Sequence, residues 1–211
     1  MRIDIVSDVV CPWCIIGYRQ LEQALGARKL EAEIHWQPFE LNPQMPEEGQ
    51  NLREHLAAKY GSTVEASNAS RARLTRLGAE LGFTFAYTDD MRTYNTFRAH
   101  QLLHWAATEG RQHELQMALF AAFFTRRQNI ADPAILADTA AGVGLDRAEA
   151  LAVLEDARFA EAVRQEERFW VDQGIQGVPA VIFERRHLVS GAQGVERFGA
   201  ILDQLTAPAT A

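Results

Sequence analysis

The chain has 211 residues, of which 47% are hydrophobic and 23% are charged, and its formal net charge is −7. This composition is typical of a globular protein of one or two domains that can bury its own core. The acidic balance argues against nucleic acids and anionic membrane surfaces as partners. The sequence also lacks an apolar run of the ~20 residues that a membrane span needs.

The N-terminal segment alternates between strand and helix patterns. Residues 2–8 are rich in β-branched side chains and predict a buried strand. A helix that ends near Gly26 is indicated by residues spaced three or four apart, namely Cys14, Tyr18, Leu21 and Leu25. Ile34 and Trp36 alternate with polar residues and predict a second strand, which is expected to pair with the first in parallel.

From about residue 47 to residue 175 the pattern is almost wholly helical. The first apolar faces of this region are formed by Leu52, Leu56 and Tyr60 and by Leu74, Leu77 and Leu81; a later face contains Leu115, Ala118, Leu119, Ala122 and Phe123. Strand patterns return at 180–183 and 187–189 as a hairpin, and a last helix face begins at Val195. The sequence therefore predicts an α/β domain interrupted by an all-helical insertion.

The motif CPWC, residues 11–14, contains both cysteines of the chain and lies where the first strand gives way to the first helix. A disulfide-exchange catalyst needs one thiolate to attack and a second thiol to release the mixed disulfide. The N-terminus of a helix favours an anion, so we expect Cys11 to be the nucleophile. Cys14 lies one turn further on, on the apolar helix face, and is expected to be the resolving thiol. Pro12 suits the first helical turn.

Other interpretations of CPWC are half of a zinc site and a chance spacing. A structural zinc site usually has four ligands, and the chain has no second CxxC. His100 and His104 are spaced as metal ligands can be, but a helix-face or core role explains such a pair more simply. We therefore predict a redox pair, with no metal site and no bound cofactor.

A second informative stretch is QGVPAVIF, residues 176–183. Pro179 stands where a strand begins, a position at which its missing N–H costs nothing. A trans proline opening the strand is one interpretation. The other is a cis Val178–Pro179 bond that places the backbone of Val178 against the sulfurs.

Together these stretches resemble the DsbA-like branch of the thioredoxin superfamily, and within it most closely the FrnE-type dithiol oxidoreductases. The resemblance rests on SDVVCPWCIIG, WQPFELNP (36–43), NTFRAHQLLHWA (95–106), GVPAVIF (177–183) and SGAQ (190–193), and it spans about residues 3–205. It implies a thioredoxin-fold domain formed by 1–42 and 156–205, and a helical insertion, 43–155, that covers the active site. Residues 206–211 are expected to form a frayed tail.

The resemblance also implies roles for individual residues. Cys11 and Cys14 would be catalytic and Pro179 the cis-proline, while Val178 would offer backbone hydrogen bonds to a bound peptide. Pro12 and Trp13 would line the substrate groove. Asn95 and His100 match a family stretch and are expected near the cleft, although a helix cap and a surface histidine are equally good interpretations.

The chain departs from the family at one position. Thioredoxins and DsbA carry a buried acid six residues before the first cysteine, and this chain has Ile5 there. Strand alternation directs Asp4 to the opposite face, which leaves Asp8 as an alternative acid.

Two further functions stay open. The same fold serves 2-hydroxychromene-2-carboxylate isomerases and kappa-class glutathione transferases, which hold glutathione at the position of Cys11; glutathione is thus a candidate co-substrate. A peptide-binding or chaperone module is the other alternative, with Trp13, Trp36 and Phe39 as apolar contacts. The N-terminus runs directly into CPWC without a signal-peptide pattern. We expect a cytoplasmic thiol–disulfide oxidoreductase of the dithiol–disulfide isomerase type, acting on protein or peptide disulfides and dithiols.

Overall fold

The computed structural model describes residues 1–207. A mixed sheet contains four strands: β1 (Arg2–Ser7), β2 (Glu33–Pro38), β5 (Ala180–Phe183) and β6 (His187–Ser190). Their order across the sheet is β2-β1-β5-β6. The predicted parallel pairing of β1 with β2 is confirmed, with Ile3 opposite Ile34. Strand β5 lies antiparallel to β1 and to β6, so the predicted hairpin is also present.

Helices cover both faces of this sheet. Helix α1 (Pro12–Arg28) packs beside α9 (Val195–Thr206), and α8 (Ala160–Asp172) lies against β2. Alternation along β1 places Ile3 and Ile5 in the large core and Val6 in a smaller one beside Trp170 of α8. The strand is buried on both sides, as its β-branched residues predicted, and Asp4 is the buried charged residue on the face of Val6.

The segment between the two halves of the sheet is mostly helical, as predicted. Within the described residues it contains α2 (Leu52–Tyr60), α3 (Val64–Glu80), α4 (Phe97–Thr108), α5 (Gln112–Phe120), α6 (Pro133–Ala141) and α7 (Arg147–Asp156). A buried aromatic cluster packs the loop after α3 against these helices. In it the Phe85 ring makes edge-to-face contacts with Phe83 and with Phe124. An α/β domain with a helical insertion is thus confirmed.

Three local features depart from the sequence pattern. The segment from 47 to 175 is mostly helical, as predicted, but Gln50–Asn51 (β3) pairs with Arg92–Thr93 (β4) in a small antiparallel sheet. The helix predicted through Phe123 changes after Phe120, where residues Ala121–Thr125 form a π-helical turn. The face of Leu52, Leu56 and Tyr60 is only partly buried: Leu52 packs against the core, and Tyr60 is 62% exposed.

The C-terminal prediction is only partly covered by the structure. A frayed tail was predicted for 206–211. Thr206 instead belongs to α9, and residues 208–211 lie outside the described residues. Within 1–207, none of the helices has the length and apolar character required to cross a bilayer.

Candidate active site

Cys11 lies at the junction between strand and helix. A turn closed by the hydrogen bond from Cys11 N–H to the Asp8 carbonyl (3.0 Å) connects β1 to α1. Cys11 is the N-cap residue with an extended backbone (φ −90°, ψ 112°), and Pro12 occupies the first helical turn. The local sequence produces this geometry because a proline with fixed φ begins a helix without losing a backbone hydrogen bond.

Cys14 lies one turn inside the helix and is completely buried, whereas Cys11 retains 3% exposure. Both are free thiols. Burial raises the pKa of the Cys14 thiol well above its usual value, and the neighbouring Cys11 sulfur raises it further; the Ser7 side chain and the Asp8 backbone oppose this in part. The protonated form of Cys14 is thus favoured, and Cys11 is the one of the two sulfurs that lines the neighbouring cavity.

The loop that precedes β5 lies against the Cys11 sulfur. The Val178–Pro179 peptide bond is cis, and the Cys11 thiol lies 3.7 Å from the Val178 carbonyl oxygen, which it faces as a donor. Gly17 permits this approach, because a Cβ there would lie 3.3 Å from Cγ of Pro179. The Pro179 carbonyl in turn accepts a hydrogen bond of 2.7 Å from Gly191 N–H.

A cavity of about 410 Å³ opens beside Cys11. Pro12, Trp13 and Val178 line it on the thioredoxin side, and residues of α2 and α3 line it on the insertion side. The Trp13 ring is half-buried and carries the Arg73 guanidinium 5.4 Å from its centroid. The volume falls in the usual range for small-ligand sites, roughly 300–1,000 Å³.

The buried acids near the motif have separate partners. Ile5 packs in the core with Cys14, as the sequence indicated. Asp4 points to the other face of the sheet, where it pairs with Arg2 at 2.7 Å and accepts from Gln37 at 2.8 Å. Burial raises the pKa of Asp4, but these hydrogen bonds lower it more, so the net shift is downward. Asp4 thus forms a structural ion pair with Arg2 on the face of the sheet opposite Ile5.

Asp8 instead joins the sheet to the helical insertion. It is fully buried, its Oδ2 accepts from Leu41 N–H at 2.7 Å, and its Oδ1 lies 3.5 Å from Nε2 of His100. The same His100 nitrogen is 3.1 Å from the Phe39 carbonyl. Burial lowers the pKa of His100, yet the hydrogen bond and charge of Asp8 outweigh this, so the pKa is raised.

Further buried charges surround His100. Glu40 pairs with Arg164 of α8, which also contacts Glu167 at 2.7 Å. Burial is the main reason why the pKa of Glu167 is raised. The charges of Glu40 and Glu167 contribute to the raised pKa of His100, so this cluster favours the protonated form of the imidazole.

Not all predicted site residues come together. Cys11, Pro12, Trp13 and Val178 line one cavity. Asn95 is turned elsewhere, with its Nδ2 donating to the Met45 carbonyl and its Oδ1 accepting from Phe97 N–H at the start of α4.

His100 is 3% exposed, and neither it nor Asn95 is among the residues that line the Cys11 cavity. His104, one turn further along α4, pairs with Glu166 at 3.2 Å. Among residues 1–207 no group of three or more potential metal ligands is found.

Two polar residues of the insertion that line the cavity were missed by sequence reasoning. Ser67 and Arg71 of α3 are buried there, although α3 is rich in polar and charged residues. Their spacing of four places them on one helix face, but the sequence does not show that this face is buried.

The fold and the dithiol define a thioredoxin-fold protein with a redox-type site. The model of the DsbA-like thioredoxin domain family matches residues 2–203, and the chain belongs to that family. This membership confirms the predicted superfamily and the thioredoxin fold with its helical insertion, and it supports a general thiol–disulfide oxidoreductase role.

Relatives of this chain cover nearly its whole length. The uncharacterized protein YwbO of Bacillus subtilis (strain 168) is 29% identical over 203 residues, which are 94% of either chain. A probable DsbA oxidoreductase from Streptomyces coelicolor is 35% identical, with a TM-score of 0.92 over 100% of this chain and 93% of that one. The cytosolic disulfide reductase DsbM from Pseudomonas aeruginosa, solved with GSH, shares the fold at 18% identity, with a TM-score of 0.64 over 97% and 98%.

Proposed function

We propose that this protein is a dithiol–disulfide oxidoreductase that works through Cys11 and Cys14. The observation that carries the proposal is the position of Cys11, whose sulfur faces the Val178 carbonyl at 3.7 Å while Cys14 is buried one helical turn behind it. The Cys11 thiolate attacks a substrate disulfide, forms a mixed disulfide and releases one substrate thiolate. Cys14 then loses its proton and attacks Cys11, which releases the second thiol and leaves an intramolecular disulfide.

The raised pKa of Cys14 assigns an order to these steps. In the reduced protein the Cys11 sulfur is itself one cause of that raised pKa. Once Cys11 is bound in a mixed disulfide, the charge it can carry is gone and the Cys14 thiolate becomes easier to form. The buried thiol is therefore held back until there is a disulfide to resolve.

The substrates proposed are protein or peptide disulfides and dithiols, with glutathione as the recycling thiol. Support comes from the half-buried Val178, which lines the Cys11 cavity and whose backbone can pair there with an extended peptide, and from the glutathione present in the DsbM structure. That relative is cytosolic, and we propose the same compartment here. Which direction predominates, oxidase, reductase or isomerase, depends on the reduction potential of the pair.

The testing experiment equilibrates the protein in glutathione redox buffers and follows alkylation by mass. Formation of a Cys11–Cys14 disulfide is expected, and a midpoint near about −220 mV or below fits a reductase or isomerase, whereas about −120 mV fits an oxidant. Cys14→Ser should accumulate a mixed disulfide at Cys11, and the control Cys11→Ser should not. Full turnover by Cys14→Ser would overturn the dithiol mechanism and favour a glutathione transferase instead.

A further inference from the structure

The cavity beside Cys11 has a chemical character that the exchange mechanism does not use. Its insertion side combines a large apolar surface, formed by Leu52, Leu56, Leu74, Phe123 and Phe124, with a few polar side chains that include His55, Ser67 and Arg71. Leu52 and Leu56 belong to α2, a helix that contains no fully buried residue. Leu52 packs against the core and lines the cavity, and Leu56 lines the cavity beside it.

Arg71 is the charged residue of this cavity. No Asp, Glu or Lys is among the described residues that line it. Arg71 is 9% exposed, and within residues 1–207 its Nε and Nη2 have no hydrogen-bond partner. Ser67, one turn earlier on α3, is 5% exposed, and its hydroxyl is also without a partner in that range. Burial of a guanidinium with unused donors is costly unless an anion completes it.

The contacts that Arg71 does make leave its charge largely uncompensated. Its Nη1 donates to the Thr88 carbonyl at 3.1 Å and lies 3.5 Å from Oδ1 of Asp89. Asp89 is 82% exposed and pairs more closely with Arg53. Two guanidinium groups thus share one solvated carboxylate. Burial, followed by the charge of Arg53, lowers the pKa of Arg71.

Tyr87 lines the same cavity as Arg71 and Cys11. The Arg71 guanidinium lies 5.7 Å from the centroid of the Tyr87 ring. Burial raises the pKa of Tyr87, and the charges of both Arg71 and Cys11 act on it, the first lowering and the second raising the pKa. Because all three residues line one cavity, a ligand anchored at Arg71 stays within the compartment that contains the nucleophile.

We propose that this cavity selects small disulfides and thiols with an apolar, preferably aromatic, body and a carboxylate, and that Arg71 and Ser67 bind the carboxylate. The proposal rests on the oxidoreductase function above and specifies its substrate class. The Cys11 thiolate attacks one sulfur of the ligand disulfide and expels the other half as a thiolate. Cys14 then displaces the bound half, so the ligand gains two electrons and the dithiol becomes a disulfide.

The test uses two aromatic disulfides that differ in charge. The carboxylate probe is 5,5′-dithiobis(2-nitrobenzoate) and the probe without a carboxylate is 4,4′-dithiodipyridine, each mixed with the reduced protein in single turnover. Arg71→Gln is expected to lower the rate constant for the carboxylate probe by about tenfold to a hundredfold, the range of one charge-assisted hydrogen bond. The rate constant for the pyridine probe should change by about twofold or less, because it makes no use of the guanidinium.

Arg76→Gln is the matched control, since Arg76 lies on the same helix, is exposed, does not line the cavity among the described residues and carries the same charge. It should change both rate constants by about twofold or less, as expected for a solvated surface charge. Equal effects of Arg71→Gln and Arg76→Gln on the carboxylate probe would overturn the proposal. So would an equal loss with both probes in Arg71→Gln, which would mark a merely structural role in holding Thr88.

A measurement on the unchanged protein covers the case in which Arg71→Gln does not fold. Unreactive 4-nitrobenzoate should slow alkylation of Cys11 by iodoacetamide at concentrations where 4-nitrobenzamide does not. Equal protection by the two, or none by either, would refute carboxylate binding while leaving the exchange function intact. Failure of the wild-type protein to react with either disulfide would instead refute the oxidoreductase function itself.

Discussion

The buried pair of Asp8 and His100 is open to a quantitative test through His100→Gln. Both side chains are almost fully buried, and the atoms Oδ1 and Nε2 are 3.5 Å apart. Glutamine keeps an N–H that can donate to the Phe39 carbonyl, but it cannot carry a charge. Removal of one partner of a buried ion pair costs about 3–5 kcal/mol. Because Asp8 keeps its hydrogen bond from Leu41 N–H, we expect His100→Gln to lower the free energy of unfolding by about 3 kcal/mol.

The loss must depend on pH in a defined sense. The pKa of His100 is raised in the folded protein, since Asp8 outweighs the effect of burial. A raised folded-state pKa contributes stability that is fully present below the unfolded value of about 6.5 and is lost as the pH rises through the folded value. The difference between wild type and His100→Gln should therefore be largest at about pH 6 and fall toward about 1 kcal/mol in alkali, the worth of a hydrogen bond.

Urea unfolding of the reduced proteins between about pH 6 and pH 9 measures this difference in the free energy of unfolding. Glu40 and Glu167 also act on His100, and Arg164 pairs with both of them; all three are common to both proteins. The control is His104→Gln, because His104 pairs with Glu166 at 3.2 Å in a half-exposed position and such pairs contribute about 0–1 kcal/mol. A difference that stays constant or grows with pH would contradict a cationic His100.

Three further substitutions, with Gly26→Ala as a control for the first, test other contacts. Gly78→Ala should destabilise by about 1–3 kcal/mol in urea, because its Cβ would lie 2.5 Å from the Phe85 ring; Gly26→Ala, at a site with no atom within 4 Å among the described residues, should be neutral or stabilising. Gly17→Ala should slow the reaction of Cys11 with dithiodipyridine by about two- to tenfold, since it presses on Pro179; an unchanged rate would contradict that. Nδ1 of His113 accepts a hydrogen bond of 3.2 Å from Trp36 Nε1, and burial lowers the pKa of His113. Its contribution to the stability of the folded protein is therefore present above about pH 6.5, the unfolded-state pKa, and is lost as the pH falls through the folded-state pKa. His113→Gln should remove this acid-side loss in thermal unfolding, and an unchanged pH profile would refute it.

The sequence by itself determined the parts of this protein that depend on neighbouring residues. Strand β1, the helix that begins at Pro12 and the hairpin at 180–190 follow from period, proline position and turn chemistry, which act over a few residues. The positions of Cys11 and Cys14 could be predicted because their spacing, at a junction of strand and helix, places one sulfur at the helix end and the other a turn inside, as the structure has them. The separate faces of Asp4 and Ile5 follow from strand alternation.

Only the tertiary structure decided what distant segments do to one another. The pairing of β3 with β4, the contact of Asp8 with His100 and the burial of Arg71 beside the Cys11 cavity all join residues that are far apart in the chain. Local patterns report which face of a helix is apolar, but not whether that face meets the core or a cavity. That is why the sequence could not show that Leu56 of α2 and Arg71 of α3 both line the Cys11 cavity: burial depends on the packing of whole elements, which no short window of sequence contains.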